Sequence, residues 1–159
     1  MFEEKDEREK LSVDEIAGYL TKICPGLVFS HNWGERGLFY NPENKLPKGI
    51  YLMTFKEKDG ENDKASQIDR GNIFRLNLGL TKTSYEALFG PRPARPKAGG
   101  VVDVDYDFTR IDQLMPHPVY GWMGWVCILN PSVANLKKLE PLIMESYENA
   151  KVKFAKKIG

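Results

Sequence analysis

The chain has 159 residues, 42% of them hydrophobic and 28% charged, a globular composition long enough to bury one sizeable core and short for two domains. Lysine plus arginine number 23 against 22 for aspartate plus glutamate, a net charge of +1, which gives no global attraction to nucleic acid or to an anionic membrane surface. Two cysteines, Cys24 and Cys127, are too few for a disulfide framework and too far apart for a Cys-x-x-Cys pair. The charged opening from Phe2 to Lys10 has no apolar signal-peptide core behind it, and no run approaches the ~20 apolar residues of a bilayer span. The expectation is a soluble, cytoplasmic protein with reduced thiols. Residues 1–10 read as a charged, flexible N-terminus and 11–159 as a single domain.

Ser12-Val13-Asp14-Glu15 has the spacing of a capping box, with Leu11 and Ile16 placed as a hydrophobic staple. Ile16, Tyr19, Leu20 and Ile23 form the apolar stripe of a helix from Ser12 to Cys24, stopped by Pro25-Gly26. The period then changes to two. Leu27-Val28-Phe29 predicts a short strand, 34–37 a turn, Leu38-Phe39-Tyr40 a second strand, 41–44 another turn, and Gly49 to Phe55 a longer strand. Lys56 to Lys64 predicts a solvated loop. From Ile73 to Leu80, Phe74, Leu76, Leu78 and Leu80 face one way while Arg75, Asn77 and Gly79 face the other.

Thr83 or Ser84 is expected to cap a short helix ending at Gly90-Pro91, and 91–100 is the most loop-like stretch of the chain. Asp103, Asp105 and Asp107 alternate with Val104, Tyr106 and Phe108, as on a half-buried edge strand whose outer charges discourage pairing. A helical turn is expected over 107–114. Val119 to Leu129 reads as the most hydrophobic strand, ended by Asn130-Pro131. Ser132 is placed to cap the C-terminal helical stretch, where Leu136, Leu139, Ile143, Tyr147, Ala150 and Phe154 repeat at three and four residues. Pro141 predicts a short helix up to Lys138 and then a main helix with the proline in its first turn. Strands with short connections argue for an antiparallel sheet. The expected class is therefore α+β: a two-layer sandwich, a five- to six-stranded antiparallel sheet with the N- and C-terminal helices on one face.

Trp33-Gly34 followed by Phe39-Tyr40-Asn41-Pro42, the run Phe74-Arg75-Leu76-Asn77-Leu78-Gly79, and His117-Pro118-Val119-Tyr120-Gly121 followed by Gly124-Trp125-Val126-Cys127 and Asn130-Pro131 together resemble an uncharacterised bacterial domain family of unknown function. The resemblance runs from Leu11 to Phe154. The element order is also similar to the YjbR/MmcQ-like group with its frataxin-like layout. That likeness implies the fold, and through the YjbR-like proteins a suggestion of DNA binding that no residue here carries.

No nucleophile elbow, Walker loop, dinucleotide fingerprint or HExxH is present. Cys24 at a helix C-terminus and Cys127 in an apolar strand both disfavour a thiolate. The aspartates at 103–107 fail EF-hand spacing, with Phe108 in place of the glycine and Leu114 in place of the glutamate. Nothing calls for a metal or a cofactor. Arg92, Arg95 and Lys97 and the lysines of the last helical turns do not interleave with aromatics, so nucleic acid is not favoured.

What remains is the second face of the sheet. In a regular strand Tyr120 and Trp122 share one face, with Met123 and Trp125 on the other; Ile50 to Phe55 is likewise apolar on both faces. Both faces are then expected to be covered, the second by loops, a ligand or a second copy of the chain in a homodimer. The 91–100 loop is the expected lid, with Trp33 contributing. Arg75, Asn77, His117, Tyr120 and Trp122 are the candidate ligand-binding residues, the arginine for bidentate contact with a small polar or anionic group. The leading expectation is a non-catalytic module for a small ligand or a protein partner. The alternatives are an enzyme using His117 as acid/base on a small anionic substrate, and a YjbR-like sequence-independent DNA-binding domain.

Overall fold

The computed structural model describes residues 5–32 and 34–159. Helix α1 spans Val13–Ile23. Its cap is reciprocal: the Glu15 amide donates to Ser12 Oγ at 3.1 Å, and the Ser12 amide donates to Glu15 Oε1 at 3.1 Å. Five strands and a short helix come next in the order β1 (Leu27–Asn32), β2 (Glu35–Tyr40), β3 (Ile50–Lys56), β4 (Arg75–Gly79), α2 (Lys82–Phe89) and β5 (Met115–Pro116). The last elements are β6 (Trp125–Leu129) and α3 (Val133–Ile158). The strands form one six-stranded sheet, β1-β2-β3-β4-β6-β5, with every strand pair antiparallel.

Alternation decides the layers. Leu38, Met53, Phe55, Leu76, Leu78, Val126 and Ile128 share one core with Ile16, Ala17 and Leu20 of α1, Tyr85 of α2, and Leu136, Leu139, Ile143 and Tyr147 of α3. All three helices thus cover the same face, and each buried Leu or Ile of that layer is worth roughly 1.5–3 kcal/mol. The two-layer α+β arrangement expected from the pattern is what forms. Among the described residues no helix is long and apolar enough to cross a membrane.

Several expectations are corrected. The apolar run 119–129 is not one strand. Residues Gly121–Met123 form a 3-10 turn, and Gly124 at φ +92° ends it in the left-handed region, where a Cβ would lie 3.0 Å from the Leu80 carbonyl oxygen. The strand therefore begins only at Trp125. The aspartate segment 103–107 pairs with no strand, although its exposed aspartates still alternate with half-buried Val104 and Tyr106. The region 107–114 is made of turns, with Asp107 Oδ1 accepting from the Thr109 amide and hydroxyl at 3.0 and 2.6 Å. Thr81, two residues earlier than expected, caps α2 by accepting from the Ser84 amide at 3.1 Å.

Helix α3 is continuous through Pro141. Its buried residues Leu136, Leu139, Ile143, Tyr147, Ala150 and Phe154 keep one stripe across the proline. Both Pro141 and Lys137 are exposed, so the carbonyl that loses its donor lies on the wet side. The start of α3 is fully capped. Ser132 Oγ accepts from the Asn135 amide at 3.3 Å, while the Val133 and Ala134 amides donate to the carbonyls of Glu9 and Glu7 at 2.9 and 3.0 Å. The charged segment before α1 is thereby tied to the last helix.

Candidate functional site

The sheet face away from the helices divides into two halves. Under one half, Cys127 and Leu129 of β6 are buried with Met115 and Ile68, and Ile73, Tyr106 and Phe108 pack against them. This half is covered by the chain's own segments at 68–73 and 106–115. Burial pushes the Cys127 thiol up to about 12, so it is inert at neutral pH. Burial likewise raises the Cys24 thiol.

The other half is an open cleft of about 470 Å³. A β-bulge builds its first wall. Leu38 pairs with Met53 but Phe39 pairs with Tyr51, so Leu52 is inserted. Leu52 and Met53 both enter the helix-side core, and Tyr51 is returned to the face of Thr54. The Phe39 and Tyr51 rings then lie 4.7 Å apart. The opposite wall is Tyr120, Met123 and Trp125. Two glycines make room for the rings. A Cβ on Gly37 would lie 3.0 Å from the Phe39 ring, and one on Gly79 would lie 3.1 Å from Trp125. Tyr51, Tyr120 and Met123 are 42%, 48% and 47% exposed, an apolar rim gathered around one concavity.

The floor is polar and buried. Asn77 Nδ2 donates to Thr54 Oγ1 at 3.1 Å. Beneath it Arg75, 1% exposed, is held on every side. Its Nε donates to Asn77 Oδ1 at 2.8 Å, its Nη1 to Asp63 Oδ1 and Ser66 Oγ at 3.0 Å each, and its Nη2 to Asp63 Oδ2. Burial opposes the charge on Arg75, but the bonds to Asp63 together with the neighbouring Cys127 and Glu35 outweigh it, and the pKa is raised. At one end of the cleft Lys56 Nζ stands 3.4 Å from Glu35 Oε1.

His117 completes the floor. Its amide donates to the Trp125 carbonyl at 3.0 Å, which extends the β5–β6 pairing. Its Nδ1 accepts from the Val119 and Tyr120 amides, both at 3.0 Å. The ring is 2% exposed, 5.1 Å from the Tyr120 ring and 6.5 Å from that of Trp125. Burial first, then the charges of Arg75 and Lys56, hold its pKa well below 6.5. A neutral imidazole whose Nδ1 lone pair is already taken holds its one N–H proton far too tightly to release at neutral pH, and it has no free lone pair to take another. The geometry does not equip His117 for acid/base work.

Four of the five sequence candidates are thus neighbours: Arg75, Asn77, His117 and Tyr120. Trp122 is not among them. It sits in the 3-10 turn outside the cleft, under the Arg95 guanidinium at 4.8 Å from its ring centre. The 91–100 loop meets the domain there and does not line the cleft, so it is not the expected lid. Trp33, the other expected contributor, lies outside the described residues. Arg75 does not present its fork to a ligand, because Asp63 takes it. The residues that sequence reasoning missed include Phe39, Tyr51, Thr54, Asp63, Met123 and Trp125. Gly121 and Gly124, which break the 119–129 run, are the signal that could have moved Trp125 to this face.

Among the described residues no group of three or more His, Cys, Asp or Glu side chains is arranged to hold a metal ion. The molecule is a small α+β domain with helices on one sheet face and an aromatic-walled cleft on the other. The chain belongs to a family whose description is "Family of unknown function", DUF6194, matched over residues 11–159. No curated protein and no solved structure matches it.

Proposed function

We propose that this protein is a non-catalytic binding module that takes a small, flat, partly apolar molecule into the cleft of the second sheet face. The observation that carries the reading is the pairing of two aromatic walls, Phe39 with Tyr51 and Tyr120 with Trp125, across a floor of buried polar groups. A volume of about 470 Å³ falls within the range of small-molecule sites, which combine apolar walls with a few fixed polar groups. A concave site with a hydrogen-bonded floor suits a small molecule better than a flat protein partner, whose interface would bury roughly 800 Å² on each side. The state of His117 argues against the acid/base alternative.

The test is an NMR titration with benzamide, following the indole N–H resonances of Trp125 and Trp122. Saturable movement of Trp125 with Trp122 unmoved supports the reading. Equal movement of both, or none up to the solubility limit, refutes it.

A further inference from the structure

Resting on that reading of the cleft, we infer that its floor holds a seat for an oxygen acceptor, so that the ligand is a planar molecule bearing a carbonyl or carboxylate oxygen. The protons around His117 decide the matter. Backbone N–H groups cannot turn, and those of Val119 and Tyr120 both point at Nδ1 from 3.0 Å. They fix Nδ1 as the acceptor and place the single proton of the neutral ring on Nε2. The other tautomer would set an Nδ1–H against two backbone N–H groups, two repulsive contacts in place of one.

Nε2 lies 3.1 Å from Arg75 Nη2, and a guanidinium has no lone pair to offer. The remaining Arg75 protons are spoken for: Nε by Asn77, Nη1 by Asp63 and Ser66, and one of Nη2 by Asp63. Among the described residues no buried side-chain nitrogen or oxygen lacks a neighbour at hydrogen-bond distance. The fault at His117 is therefore one of sign, with two donors side by side at a place that calls for an oxygen. An acceptor about 2.9 Å from both nitrogens would satisfy them together. In the free protein water can serve these donors, and a ligand oxygen takes its place.

The seat opens on the cleft, because Asp63, Asn77 and His117, three of the four side chains around the guanidinium, line it. Lys56 lines the same cleft, 3.4 Å from Glu35, so a second carboxylate oxygen would find a cation there. The walls supply the other half of the specificity. Tyr51 and Tyr120 are exposed at the rim above the seat, and aromatic faces favour a planar ring between them.

The experiment compares benzoate, benzamide and toluene as probes, reading dissociation constants from the Trp125 indole resonance at neutral pH. Benzoate and benzamide are expected to bind roughly tenfold more tightly than toluene, the worth of one hydrogen bond from a buried donor. His117→Leu is expected to bring the benzoate and benzamide constants to within about twofold of the toluene constant, whatever the variant's absolute affinity for toluene. If toluene binds as well as the other two, the oxygen seat is wrong and the cleft stands as a ligand site. If none of the three moves Trp125, both fail. Histidine-selective 15N NMR of the wild-type protein bears on the seat without any variant: the Nε2–H tautomer is expected at His117, and the Nδ1–H tautomer overturns the proposal.

Discussion

Acidification from pH 7 to pH 5.5 tests the buried state of His117 without knowledge of any ligand. In the unfolded chain a histidine takes a proton near pH 6.5. In the folded protein burial and the neighbouring Arg75 and Lys56 keep the ring neutral well below that. Below pH 6.5 the unfolded state therefore binds more protons than the folded one, so stability rises with pH and falls on acidification. The loss opens at pH 6.5 and approaches about 1.4 kcal/mol per pH unit while the folded ring remains neutral. Summed from pH 7 to pH 5.5, it comes to about 1.3 kcal/mol. For a urea slope of about 2 kcal/mol per molar the midpoint should fall by about 0.6 M. The carboxylates held below their ordinary values, Asp6 by its Arg8 contact, Glu15 by its Lys5 contact, Asp107 by bonds from Thr109, and Asp112, against its burial, by bonds from Asn135 and Ser132, lose their contribution only at lower pH and leave this window clear. Urea melts at four pH values, repeated on His117→Gln, make the measurement. The variant is less stable throughout but should show a flatter pH dependence. A wild-type midpoint that does not move, or a variant that keeps the full slope, refutes the reasoning.

The packing sets three further outcomes. Arg75→Leu strands the half-buried Asp63 carboxylate together with Asn77 and Ser66, and should cost about 3–5 kcal/mol in urea unfolding. Gly79→Ala places a methyl 3.1 Å from the Trp125 ring, and should change near-ultraviolet circular dichroism and weaken benzamide binding while helix content by far-ultraviolet signal stays constant. Pro141→Ala restores an amide donor in the middle of α3 without touching the buried stripe, and should raise stability by about 1–3 kcal/mol.

The helix layer is legible in the sequence because its signals are local. The Ser12–Glu15 box, the leucines of β4 at period two and the Leu136–Phe154 stripe each state their own geometry. Arg75, Asn77 and His117 are legible for the same reason: alternation puts the first two on one face, and Pro116 and Pro118 hold the third extended. What the sequence hides depends on breaks in period. One inserted residue, Leu52, turns Tyr51 towards the cleft. A left-handed glycine, Gly124, exchanges the roles of Trp122 and Trp125. Pro141 misleads in the opposite sense, because long-range packing of α3 overrides the loss of one exposed hydrogen bond. The Arg75–Asp63 pair is hidden as well, because it joins β4 to the polar connection before it and depends on how that connection folds.

The most direct trial of the account is a crystal structure of the protein soaked with benzoate. The ring is predicted to lie between Tyr51 and Tyr120, with one carboxylate oxygen about 3 Å from His117 Nε2. Benzoate bound elsewhere with the cleft left empty, or a cleft filled by the chain's own side chains, would contradict it.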